Sequence, residues 1–122
     1  MRDGLPRVKR HTARYQTDVP AQVRLITVDG DVKACGTAVI SNLSEDGLQL
    51  SRVVFREGGL PSCSFFALVV PTTREHAGIW LKACIVRAVF RADCSELGGY
   101  LVGAAGLDRL LISAQFSVSS SP

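Results

Sequence analysis

Two arginines, Arg10 and Arg14, stand four residues apart in Lys9-Arg10-His11-Thr12-Ala13-Arg14-Tyr15, just ahead of the first strand-like pattern. A guanidinium is planar, permanently charged, and presents its donors in a fork that fits a phosphate or the O6/N7 edge of guanine. Two such forks at the mouth of a folded body suit an anionic, purine-bearing ligand. The same stretch also reads as a solvated basic tail, because six basic residues fall at or before Arg24. The decision rests on whether the rest of the chain supplies a second set of ligand-facing groups.

The candidate for that second set is Asn42-Leu43-Ser44-Glu45-Asp46-Gly47. Asn42 can hold a turn by bonding its own backbone, or offer its amide to a base edge. Ser44 brings a hydroxyl that donates or accepts. Gly47 permits a positive φ or a close approach by a ligand. Taken alone, the segment is equally an Asx-type turn between two strands. Glu45 and Asp46 read as solvated turn residues, since successive positions point apart.

The elements that must position these groups are mostly strands. Residues 1–18 show no hydrophobic periodicity and read as a flexible basic arm, with the folded body starting at residues 19–20. Ala21 to Leu25 alternates with period two and runs toward Asp29-Gly30, a hairpin turn pair. Val32 to Ile40 returns, with Val32, Ala34, Gly36, Ala38 and Ile40 on one face. Leu48 to Ser51 alternates again, and Arg56 to Pro61 reads as a loop. Ser64 to Val70 is apolar on both faces, as in a strand covered on both sides. Ile79 to Arg91 forms a long strand pattern, Asp93 to Gly99 a loop, and Tyr100 to Val102 the opening of the last strand. After Gly106, Leu107, Leu110, Leu111 and Ala114 follow the spacing of one helix face. Six strands and a terminal helix predict an all-β fold, a six-stranded antiparallel β-barrel with a short C-terminal α-helix. The barrel domain should span residues 19–118, with 119–122 a frayed tail.

Composition sets the outer bounds. At 122 residues, 47% hydrophobic and 20% charged, the chain suits one soluble globular domain. A net charge of +3 favours an anionic partner without demanding nucleic acid. No apolar run follows the N-terminal basic residues and none approaches a membrane span, so a cytoplasmic location is expected. Cys35, Cys63, Cys84 and Cys94 form no close pair, and His11 and His76 stand far from one another, so no metal site is expected. Cys35 and Cys84 read as small buried thiols, and Trp80 as a core residue. No catalytic constellation, P-loop or dinucleotide fingerprint is present, and no enzyme is expected.

The ordered pair R-x-x-x-R and [DN]-x-S-x-x-G, the first before strand one and the second between strands two and three, resembles the signature of PilZ domains. The likeness extends to Asp46-Gly47-Leu48-Gln49-Leu50 and to Lys82-Ala83-Cys84-Ile85-Val86-Arg87, which look like two of the family's strands. The chain departs from the family at Gly103-Ala104-Ala105-Gly106, where a larger Val and Phe usually end the last strand. PilZ domains are bacterial receptors for cyclic di-GMP, so the resemblance implies that ligand, a split-barrel fold and a role in motility or biofilm regulation. By this carry-over Arg10 and Arg14 grip phosphate and guanine edges, Asn42 and Ser44 bond the other guanine and nearby phosphate, and Gly47 leaves room. Lys9 and Arg7, on the same arm, are further candidates for phosphate contact, and a cation directly before the first arginine favours a stacked ligand pair. His11 reads as a spacer.

The expected mechanism is a binding module whose N-terminal arm is drawn over the barrel by the ligand, changing the surface shown to a downstream protein partner. Two alternatives stay open. One is a PilZ-like adaptor that binds protein only. The other is a small β-barrel binding single-stranded nucleic acid, with Trp80, Phe90 or Tyr100 stacking on bases. The low aromatic content, 7%, and the absence of a recurring basic–aromatic face count against the second.

Overall fold

The computed structural model describes residues 14–61 and 64–119. Six strands and one α-helix follow in chain order: β1 (Tyr15–Thr27), β2 (Val32–Leu43), β3 (Gly47–Gly58), β4 (Phe65–Pro71), β5 (Trp80–Phe90), β6 (Ser95–Ala105) and α1 (Leu107–Ser119). A single 3₁₀ turn, Arg74–His76, sits between β4 and β5. The strands close into an antiparallel barrel in the order β1-β2-β3-β6-β5-β4. The all-β barrel with a C-terminal helix is therefore the observed architecture.

Alternation builds the core. Ala21, Val23 and Leu25 of β1 point inward, as do Ala34, Ala38 and Ile40 of β2, Leu50 and Val53 of β3, and Ala67 and Val69 of β4. Gly30 turns the first hairpin at φ 94°, a conformation costly for residues with a Cβ. The Gly30 amide donates to the Thr27 carbonyl at 2.9 Å, and the Thr27 amide to the Asp31 carbonyl at 2.9 Å. At the other end of the chain, Leu110 of α1 is buried, with Leu107 and Leu111 packed against the same core. The predicted helix face thus seals the barrel against β1.

Several boundaries and environments differ from the sequence reading. β1 begins at Tyr15, because Tyr15 and Gln16 pair with Leu43 and Asn42, so residues 15–18 join the sheet. β3 runs through Gly58, taking in residues expected in a loop, and β6 opens at Ser95, where Ser95 pairs with Val53 and Phe90. The helix continues through Ser119, while residues 120–122 lie outside the described residues. Strand β4 is not covered on both sides: Phe66 and Leu68 are half-buried and Val70 is exposed. Cys35 and Cys84 are half-buried free thiols on the outward face, between inward neighbours. Trp80 is likewise outside the core, 40% exposed. Its indole lies over Gly103, where an added Cβ would sit 3.5 Å from the ring.

Candidate functional site: a cleft across four strands

The site begins with a register. Gln16 pairs with Asn42, Asn42 with Gln49, Gln49 with Gly98, and Gly98 with Arg87. These pairings form one lateral row across β1, β2, β3, β6 and β5. Paired residues of an antiparallel ladder share a face, and the Asn42, Gln49, Gly98 and Arg87 part of the row, on four strands, forms the floor of a surface cleft. The cavity above it has a volume of about 770 Å³, within the range of small-molecule sites. Arg14, Asn42, Ser44, Gly47, Gln49, Arg87, Gly98 and Tyr100 are among its lining residues.

The turn between β2 and β3 closes one end of the cleft. Ser44 is buried, and its hydroxyl donates to the Asp46 carboxylate at 2.7 Å while accepting from the Gly47 amide at 3.1 Å. The Ser44 amide donates to the Gly47 carbonyl at 3.0 Å, and the Leu101 amide to the Asp46 carbonyl at 2.9 Å, tying the turn to β6. Asn42 donates through Nδ2 to Gln49 Oε1 at 3.3 Å. Both polar side chains of the motif therefore have partners within the protein. Gly47 does not adopt a positive φ. Its requirement is close packing, since a Cβ there would lie 3.1 Å from the Gly99 carbonyl oxygen.

The far wall comes from β5 and β6. Arg87 is exposed, and its guanidinium lies over Gly98: an added Cβ there would be 3.2 Å from Nη2 and 3.5 Å from Nε. Gly98 is buried beneath it. Tyr100 stands beside this wall, 52% exposed. Hydrogen bonding with the Cys84 side chain, then the electrostatic influence of the same group, raises the Tyr100 phenol above its ordinary value.

The cleft combines three chemistries. Arg14 and Arg87 supply guanidinium groups for phosphate oxygens or a guanine Hoogsteen edge. Asp46 and Gln49 supply oxygen acceptors of the kind that match the N–H donors of guanine. Tyr100 offers an aromatic surface on which a base can stack. Among the described residues, no group of three His, Cys, Asp or Glu is placed to hold a metal ion.

Four of the predicted site residues, Arg14, Asn42, Ser44 and Gly47, are brought together in this cavity. Arg10, Lys9, Arg7 and the spacer His11 lie outside the described residues. Sequence reasoning missed Gln49, Arg87 and Gly98 as cleft residues, and named Tyr100 only as a stacking residue of the nucleic-acid alternative. For Arg87 the reason is specific. A register shift between Ile85 and Arg87 breaks the period of two, so a residue that alternation turns inward stands on the surface.

The fold and cleft together define a closed six-stranded antiparallel barrel carrying a polar surface site. Among solved structures, the Bacillus subtilis inhibitor of motility MotI/DgrA is similar, with a TM-score of 0.58 at 13% identity. The match covers 93% of this chain and 53% of that structure, so the chain spans about half of its length. At this identity the likeness is one of fold. No family model matches the sequence, and no curated protein matches it.

Proposed function

We propose that the protein is a cyclic di-GMP receptor module that relays ligand binding to a partner protein. The observation that carries this reading is the meeting of Arg14 with the Asn42–Gly47 turn in one cavity, faced by Arg87 from the far wall. Two phosphates and two guanines need cations, acceptors and a stacking surface, and the cleft provides each. Arg14 and Arg87 take the phosphates or guanine O6/N7 edges, and Tyr100 stacks. Arg10, four residues before Arg14, supplies a further guanidinium from the N-terminal arm, with Lys9 and Arg7 as added phosphate contacts. Engagement of Arg10 and Arg14 changes the arm's conformation and so the surface offered to the partner. The likeness of fold to an inhibitor of motility supports motility control as the process regulated.

A second reading, an adaptor that binds protein only, is favoured by one observation. Asn42 and Ser44 spend hydrogen bonds on Gln49, Asp46 and Gly47, which suits a turn with a purely structural task. Isothermal calorimetry with cyclic di-GMP separates the two. Saturable binding, weakened in Arg10→Ala and Arg14→Ala, supports the receptor. Absence of binding at low salt supports the adaptor, and binding with unchanged affinity in both variants would refute the arginine clamp.

A further inference from the structure

We infer that the outer face of β4 and β5, with the adjoining parts of β1 and β6, is a docking surface for an acidic protein segment bearing apolar side chains. The registers define the face. One row runs Ile26, Phe66, Cys84, Tyr100; the next runs Arg24, Leu68, Lys82, Gly103. Phe66 and Leu68 are half-buried, while Trp80 at 40% and Tyr100 at 52% are exposed. The terminal helix makes its main contacts with β1, where Arg24 is nonetheless exposed and Ile26 half-buried. A contiguous exposed apolar area of this kind marks an interaction site more often than a plain surface.

Charge selects the occupant. Arg24 and Lys82 belong to the second row, and neither pairs with a carboxylate among the described residues. Lys82 instead lies 5.0 Å from the centre of the Phe66 ring. Residues 22–26, 66–70, 80–86 and 100–105 contain no Asp or Glu. A second copy of the chain docked face to face would oppose like charges, and the chain's own basic N-terminal segment carries the wrong sign. A carboxylate-bearing segment whose apolar residues cover Phe66, Leu68 and Trp80 meets both demands.

The face also touches the cleft, because Tyr100 lines the cavity and ends the first row. A ligand held against Tyr100 alters one edge of what the partner meets. This coupling rests on the receptor reading; the docking surface itself does not.

The test is a selection of random peptides displayed on phage against the full chain, followed by titration of synthetic copies of the enriched peptides. The matched variant is Leu68→Ser/Lys82→Glu, checked for folding by circular dichroism, with Arg24→Glu as a second variant that leaves the apolar residues intact. Enrichment of acidic, apolar peptides whose affinity falls tenfold or more in both variants supports the proposal. Enrichment of basic peptides, no enrichment, or equal binding to the variants overturns it. So does preferential binding of oligonucleotides or anionic vesicles through Lys82, or concentration-dependent self-association through this face. Failure of cyclic di-GMP to bind the same sample would remove the coupling and the receptor reading, and leave the peptide result standing.

Discussion

Two neighbouring glycines of β6 should respond to one added methyl group in opposite ways. At Gly99 a Cβ would lie 2.0 Å from the Cys84 carbonyl oxygen and 3.0 Å from Ile85 Cα, all backbone with nothing to swing aside. Restoring an ordinary contact of 3.4 Å requires β5 and β6 to part by about 1.4 Å. That separation weakens the local ladder hydrogen bonds, each worth about 1 kcal/mol, and adds about 1–3 kcal/mol of overpacking strain. Gly99→Ala should therefore lose about 3–5 kcal/mol, a large part of the ~5–15 kcal/mol that stabilises a domain. At Gly98 the same methyl meets only the end of the Arg87 side chain, at 3.2 Å from Nη2. A shift of a few tenths of an ångström relieves it, so Gly98→Ala should stay within about 0.5 kcal/mol of the parent. Urea denaturation of both variants, compared at equal slope, reads the difference directly. Equal midpoints for the two, or a Gly99→Ala variant as stable as the parent, would refute the bulged β5–β6 register on which the cleft wall depends.

Other expectations follow from the same geometry. Arg87→Ala should weaken cyclic di-GMP binding by about tenfold or more, the value of one charge-assisted hydrogen bond, while thermal unfolding barely moves. Ser44→Ala should lower stability by about 1–2 kcal/mol even without ligand, because the Gly47 amide loses its buried acceptor; unchanged unfolding would count against the turn-holding role. In a Tyr15→Phe background, absorbance titration should place the Tyr100 midpoint above the ordinary 10.0, and Cys84→Ala should bring it back down. The folded phenol keeps its proton longer than the unfolded one, so this contribution to stability is complete below pH 10.0 and is lost as pH rises beyond it.

The barrel was legible because alternation is strong where one face is buried. Ala34, Ala38 and Ile40 announce an inward face, and Asp29-Gly30 announces its hairpin. Leu107, Leu110 and Leu111 likewise announce the helix. Alternation fails at the bulges. The shift at Ile85/Arg87 hides an outward arginine, and that between Gln16 and Val19 obscures the start of β1. Half of the cleft was legible because a local motif, residues 42–47, folds into a local turn. The other half is set by pairing Gln49 with Gly98 and Gly98 with Arg87, contacts between distant strands that no short spacing records. Trp80 and Cys84 mislead for a related reason. Their residue types favour burial, yet the phase of β5 turns them outward beside buried Leu81, Ala83 and Ile85.

The central claim is that an anionic, guanine-bearing ligand occupies the cleft over the Asn42–Gln49–Gly98–Arg87 row. The most direct measurement is a titration of the isotope-labelled chain with cyclic di-GMP, followed by amide ¹H–¹⁵N shifts. Saturating shifts concentrated at Gly47, Gln49, Gly98, Gly99 and Tyr100, diminished in Arg14→Ala and Arg87→Ala, are the predicted result. Shifts confined to another part of the barrel, or a spectrum unmoved by excess ligand at low salt, would contradict it.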